Sequence, residues 1–314
     1  NVEKYIERCA ESLFGQTLKE VEYIFVNDCT PDKSIDILNA VIERYPDRKD
    51  NVIIINNPQN LNVAVSRRIG LNAAKGEYIA WCDSDDWVEP AMLEQMYLQV
   101  GEKDADIVWS DFLWNEAGYI KQNFAEDKIK CIEQMCLTNM YWTLWNKLFR
   151  HTLFTDNNIT IENFIVGEDM LVNLKLFYYA KRVTYFPQAF YHYNKAVNDA
   201  LTDNLMTNPS KVLATIDVIK EIDNFYKGKR DFNLYKESIT ALKFWFKNDY
   251  LHAIFCKKDL KFWQNVFPEC KNYIRRQPHL NCLQKIMFRL AGNKFLGWIV
   301  VCKNKIIKQY IKKK

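Results

Sequence analysis

Residues 78–87, Tyr-Ile-Ala-Trp-Cys-Asp-Ser-Asp-Asp-Trp, decide how the chain is read: an apolar run from Tyr78 to Cys82 ends in three carboxylates within four residues, Asp83, Asp85 and Asp86. A run that is apolar at every position reads as a strand buried on both faces of a parallel sheet. The acids then stand just beyond the strand's carboxyl end, where open α/β sheets bind their ligands. Carboxylates this close repel one another when ionised, so a site that keeps them together holds a cation or a protonated member. All-oxygen donors suit Mg2+ or Mn2+ better than zinc. The competing reading is an acidic loop that caps the next helix.

Upstream of this stretch, Val63 to Lys75 reads as a helix closed by Gly76. It follows a short strand, Val52 to Asn56, and the loop Asn57 to Asn62. Before those, the strand Val21 to Val26 ends in the polar turn Asn27-Asp28-Cys29-Thr30-Pro31-Asp32, and Ser34 is the expected N-cap of a helix to Tyr45. Strand, helix, strand, helix, strand at this spacing is a parallel βαβ arrangement. The chain opens at Asn1 with a helical pattern, Val2, Ile6, Cys9 and Leu13. An α/β domain seldom begins without a strand, so the expectation is a sheet whose first strand lies outside this sequence.

Downstream, a helix is expected from Pro90 to Val100 and a short strand from Ile107 to Trp109. Aromatic residues then become dense, as in Tyr141 to Arg150, and Glu168-Asp169 opens a helix with an apolar stripe of Leu171, Leu174, Phe177 and Tyr178. Val183 to Tyr193 is strand-like, and residues 205–290 have the amphipathic spacing of packed helices.

With 314 residues, 48% hydrophobic and 14% aromatic, the chain can bury a sizeable core. Its net charge of +4 does not mark a nucleic-acid binder. The nine cysteines are odd in number and contain no CxxC pair, which argues against a zinc site or a disulfide framework and for a reducing, cytoplasmic setting. No apolar run approaches the roughly 20 residues of a membrane span.

The order of NDCTPD, the Asn60 to Gly70 stretch NLNVAVSRRIG, GEYIAWCDSDDW, WNKLFR and GEDM resembles family 2 of the glycosyltransferases. The likeness covers about residues 1–195 and implies a GT-A fold: α/β, a Rossmann-like and mostly parallel sheet flanked by helices, here with a helical C-terminal extension. It implies an inverting transfer of sugar from a nucleotide diphosphate, commonly UDP, to an acceptor hydroxyl. Asp28 matches the second Asp of the family's Asp-Asp-Gly-Ser turn, which bonds the base, although Asn27 and Cys29-Thr30 depart from that pattern. Arg67 falls on the Arg of the family's Ala-Arg-Asn stretch, near base or diphosphate, with Arg68 replacing the Asn. Asp83 and Asp85 match the DxD motif that holds Mn2+ or Mg2+, Asp85 as the direct ligand and Asp83 nearer the ribose. Asp169 matches the general base. The family's usual opening strand, ending in Pro-x-Tyr-Asn, is represented only by Asn1.

The chemistry can be argued beside the resemblance. A nucleotide diphosphate leaving group gains negative charge as the glycosidic bond breaks, which a cation on paired oxygen ligands stabilises. The acceptor hydroxyl needs a base within hydrogen-bond reach on the opposite face of the sugar. A single displacement inverts the anomeric carbon. Glu168, Trp145, Lys147 and His192 are further candidates for acceptor or diphosphate contact. Each also has a structural reading: first-turn acids favoured by a helix dipole, core packing, a solvated lysine, a satisfied histidine. The rival functions are a non-catalytic nucleotide-sugar binding module and a sugar-phosphate nucleotidyltransferase. The latter wants a glycine-rich phosphate loop, which is not seen.

Four segments are expected: a nucleotide-sugar half over 1–115, an acceptor and base region over 116–200, a helical extension over 201–290, and a basic amphipathic tail over 291–314. The tail interleaves six lysines between Lys303 and Lys314 with apolar residues, the composition of a helix lying on an anionic membrane surface, where a lipid-linked or glycan acceptor would be met. The alternative is a C-terminal helix packed on the protein with a frayed basic end.

Overall fold

The computed structural model describes residues 1–115, 117–122, 126–194, 208–274, 282–293 and 295–311. The boundary expected at 200 and the tail residues Lys294 and Lys312 to Lys314 lie outside them. The chain forms two compact units, Asn1–Met135 with Met140–Leu201, and Cys136–Asn139 with Thr202–Lys314.

The first unit is α/β. In chain order it carries α1 (Ile6–Phe14), β1 (Tyr23–Asn27), α2 (Ser34–Arg44), α3 (Pro46–Lys49), β2 (Val52–Asn56), α4 (Val63–Ala73), β3 (Tyr78–Ala80), β4 (Trp87–Val88), α5 (Met92–Lys103), β5 (Ile107–Trp114) and β6 (Gly118–Ile120). There follow α6 (Lys128–Cys136), which runs to the division, β7 (Lys147–Arg150), α7 (Thr152–Thr155), α8 (Glu168–Tyr179) and β8 (Val183–Tyr193). The second unit holds α9 (Pro209–Lys227), α10 (Phe232–Tyr250), α11 (Lys257–Asn265), α12 (Cys270–Tyr273), α13 (Cys282–Gly292) and α14 (Trp298–Ile311).

The expected βαβ pairing appears in β1 and β2, which run parallel with Tyr23 opposite Val52 and Asn27 opposite Asn56. The next strand departs from expectation. β3 joins a mixed sheet, in the order β3-β7-β5-β8-β4 with β6 on β5, and pairs antiparallel with β7. It is only three residues long, and of these only Ile79 is buried. The strand buried on both faces is β5, from Ile107 to Phe112, because β7 and β8 flank it and helices cover it. Its polar members Ser110 and Asp111 hid that burial from an apolar-run reading. Asp111 is accommodated there by the hydroxyls of Tyr119 and Tyr185 and by the Gln122 N–H.

Two other local expectations are corrected. Ser34 is the first helical residue, not the cap; Asp32 accepts from its N–H at 3.1 Å. Gly76 does not close α4, which ends at Ala74 in extended conformation, while the Gly76 N–H donates to Glu22 at 2.6 Å.

α1 buries Ile6, Cys9, Ala10 and Phe14, and α2 buries Leu38, Val41 and Ile42; with Tyr23 they build one core under β1 and β2. A second core joins Val88, Met92 and Met96 to Val108, Phe112, Trp145 and Tyr191. Full burial of side chains of this size contributes about 1.5–3 kcal/mol each. The β1 and β3 edges face a cleft whose walls include Ile24, Phe25 and Val26 on one side and Ile79, Ala80 and Trp81 on the other.

Candidate active site

The turn after β1 is folded by the Thr30 N–H, which donates to Asn27 Oδ1 at 2.9 Å, with Cys29 in the left-handed region at φ 58°. It aims Asp28 at the loop before α4. The Asp28 carboxylate accepts from Leu61 N–H at 2.8 Å, Asn62 N–H at 2.9 Å and Asn57 Nδ2 at 2.9 Å. Burial pushes this carboxyl up, but those bonds outweigh it and hold it below the usual carboxylate range. Asn62, at φ 78°, caps α4 by accepting from Ala64 N–H and Val65 N–H. The helix so oriented carries Arg67. A cavity of about 490 Å3 is lined by Asp28, Asn60, Ser66, Arg67, Asp83 and Ser84, among others.

Arg67 bridges two acids distant in sequence. Its Nη2 donates to Asp83 Oδ1 at 2.7 Å and its Nη1 to Glu168 Oε1 at 2.8 Å, with the guanidinium side chain 16% exposed. Burial disfavours its charge, but Asp83 and Glu168 more than restore it. The three acids after β3 take different places. Asp86 turns inward, 1% exposed, and accepts from Tyr191 Oη at 2.6 Å and Asn194 N–H at 2.7 Å. Burial pushes its carboxyl up to about 7 in spite of those bonds. Tyr191 Oη also accepts from the Asp83 N–H at 3.0 Å, so one phenol fixes the loop at two points. Asp85 is raised by burial and then by the charge of Asp83.

Among the described residues no three His, Cys, Asp or Glu side chains converge as a metal cluster. Asp83 and Asp85 remain as a pair of hard oxygen donors. They fit a divalent ion that draws its other ligands from a diphosphate and water. The charge on Asp85, disfavoured by burial and by Asp83, is what such an ion would relieve.

The second half of the site is the start of α8. Gly167 precedes it at φ 83°, a conformation that favours glycine, and Glu168 and Asp169 occupy the first turn. Burial and the neighbouring Asp169 charge push Glu168 up to about 7, against the pull of Arg67. Asp169 is raised as well, chiefly by burial, with Arg67 and Lys147 opposing. Asn173, one turn on, donates to the Asp169 carbonyl at 2.9 Å and to the Trp142 carbonyl. The aromatic loop is thereby tied to the helix that carries the acids.

Lys147 is fully buried and donates to Tyr141 O at 3.1 Å, Thr143 O at 2.5 Å and Asn146 Oδ1 at 2.9 Å. Its three donors are spent on the 141–146 loop. Burial pushes its ammonium down to about 7. Trp145, 4% exposed, stacks on Tyr191 at 4.2 Å and lies parallel to Tyr193 at 5.6 Å, a core position. His192 follows Tyr191 on β8 and so points to the opposite face. Its ring stacks on Trp87 at 4.7 Å and its Nε2 meets Glu89 at 2.6 Å.

The structure thus brings Asp28, Arg67 and Asp83 to one cavity, joins Arg67 to Glu168 beside Asp169, and sets Trp145, Lys147 and His192 in supporting positions. Asp86, Tyr191, Asn62 and Asn173 emerge only here. Asp86 lay in the acidic cluster and Tyr191 in the strand-like run from Val183 to Tyr193, but nothing in the sequence said that the two meet.

The family model for Glycosyl transferase family 2 matches residues 1–162. The uncharacterized glycosyltransferase EpsJ of Bacillus subtilis (strain 168) is 30% identical over 274 residues, 84% of this chain and 72% of EpsJ. Among solved structures, residues 1–349 of S. aureus TarS in complex with UDP-GlcNAc align with a TM-score of 0.61 at 18% identity, over 89% of this chain and 90% of that one. The mannosyltransferase PcManGT from Pyrobaculum calidifontis in complex with GDP-Man and Mn2+ aligns with a TM-score of 0.56 at 13% identity, over 100% and 85%. At these identities the structural likenesses show a shared fold.

Proposed function

The chain belongs to glycosyltransferase family 2, and on that premise we propose that it transfers a sugar from a UDP-sugar to an acceptor hydroxyl with inversion, at the inner face of a membrane and in the assembly of a surface polysaccharide or glycolipid. The observation that carries this reading is the meeting at Arg67 of Asp83 from the acidic loop and Glu168 from α8, the latter 101 positions away. One guanidinium sets the donor-side acids beside the pair that includes the base. The UDP-GlcNAc in the complex with TarS supports the choice of nucleotide, and the Mn2+ named with PcManGT supports a divalent ion.

In this reading Asp28 and the loop it holds receive the base. Asp83 and Asp85 hold Mn2+ or Mg2+, which when bound offsets the charge that develops on the diphosphate. Arg67 keeps Asp83 and Glu168 apart as ion-pair partners and lies beside the phosphates. Asp169 takes the proton of the acceptor hydroxyl as its oxygen attacks the anomeric carbon. Its raised proton affinity suits that task, because a base is most effective with a pKa near the working pH. Lys147 and Asn173 keep the aromatic loop in register with it.

The test is UDP release from a panel of UDP-sugars with Mn2+ and candidate acceptors. The parent protein is expected to release UDP from one donor, and Asp169→Asn to bind UDP equally while transferring about 10²- to 10⁴-fold more slowly. Undiminished transfer by Asp169→Asn removes Asp169 from the mechanism. UDP binding with no release from any donor supports the non-catalytic binding module.

A further inference from the structure

The second unit ends in a segment of extreme charge. From Cys270 to Lys314 there are twelve lysines and arginines and no aspartate or glutamate. A run of one sign reads first as a solvated tail. The structure adds what a solvated tail lacks, large apolar residues held outward on built helices.

α13 already has an inward face in Met287, Phe288 and Ala291. Its other side still exposes Leu283 (62%) and Ile286 (49%), three positions apart and hence neighbours on the helix. α14 likewise buries Val300, Val301 and Asn304, the last donating to the carbonyls of Leu251 and Ile254. Its outward side carries Trp298 (56% exposed) and Ile306 (66%), eight positions and so about two turns apart. Between the helices Phe295 is 85% exposed.

That exposure is not fraying. Asn293 Oδ1 accepts from the N–H groups of Phe295 and Leu296, which fixes the turn, and Gly297 sits so close to α11 that an added Cβ would lie 2.8 Å from Leu260. Gly297 is thus seated against α11 while Phe295 faces outward.

We infer that the outer side of α13, the turn residues Phe295 and Leu296, and α14 dock on an anionic lipid bilayer, with Phe295, Trp298 and Ile306 entering the interface while lysines and arginines meet the headgroups. Charge complementarity selects the partner: a second copy would set one basic, acid-free segment against another. A nucleic acid would use the cations but leave Phe295 and Ile306 unburied. Aromatic and aliphatic side chains beside lysines are what an interfacial helix presents to lipid. The inference gives the proposed membrane location its surface and is separable from sugar transfer, because vesicle binding requires neither donor nor acceptor.

The experiment is co-sedimentation of the full chain with phosphatidylcholine vesicles, with and without about 30% phosphatidylglycerol. Anionic vesicles are expected to bind at least about tenfold more tightly than neutral ones, and the exposed-site variant Phe295→Ser, Trp298→Ser, Ile306→Ser to lose about tenfold in that affinity with its thermal midpoint unchanged. A second variant, Lys303→Gln with Lys305→Gln, should weaken anionic binding and make its loss with salt shallower. No sedimentation with anionic vesicles overturns the inference, as does equal binding by parent and triple variant. Tighter binding to a short DNA duplex than to vesicles, or dimerisation that the triple variant abolishes, overturns it in favour of those partners.

Discussion

Arg67 holds two carboxylates that would otherwise repel each other, and it does so from a position that only a fold can create. Neither pairing is visible in the sequence, since nothing local fixes a contact across 16 or 101 positions. Arg is suited to this bridge because its fork offers two directed donor pairs, which lysine lacks. Glu168 carries the pH dependence of the arrangement. Its folded pKa of about 7 lies above the value of about 4.3 for an unfolded chain, so the folded state binds the extra proton. Its contribution is therefore fully present below about pH 4 and is lost as pH rises through about 7. Urea midpoints measured from pH 5 to pH 8 should fall along this limb in the parent and flatten in Glu168→Gln; equal slopes in the two remove Glu168 as the source.

At the scale of elements, helices were the more legible. The apolar spacing of α1 and α2 and the acidic start of α8 stand in the sequence because a helix face is written at a fixed period. Strand direction is not written that way. Tyr78 to Cys82 carried the pattern of a central parallel strand yet forms a three-residue strand at the sheet's end, antiparallel to β7. The doubly covered strand, β5, was disguised by Ser110 and by Asp111, the latter accommodated by tyrosines from β6 and β8. The start of α8 makes a prediction at this scale. Gly167 holds φ 83°, where a side chain costs about 1–2 kcal/mol, so Gly167→Ala should lower stability by about that amount. Because the helix would have to re-enter by another path, transfer should fall more than stability accounts for. Unchanged transfer and an unchanged urea midpoint would show that the turn has no such control.

Across the whole molecule, the α/β class, the helical C-terminal region and the family were legible, because they rest on the order of several motifs and not on any one contact. The separation into two compact units was less so, since a residue's unit is decided by distant packing: Cys136–Asn139 belong with the second unit although their neighbours on both sides belong with the first. We propose that the cavity lined by Asp28, Arg67 and Asp83 is a nucleotide site completed by a divalent ion on Asp83 and Asp85. Thermal unfolding with UDP, GDP and CDP, each with and without Mn2+, tests it most directly. Ligand at one hundred times its Kd stabilises by about 2.7 kcal/mol, and at roughly 2–4 °C per kcal/mol for a unit of this size the midpoint should rise by about 5–10 °C. That rise is expected with UDP and Mn2+ together, and its loss in Asp83→Ala and Asp85→Ala. An equal rise with and without Mn2+ would contradict the metal assignment, and no rise with any nucleotide would contradict the site.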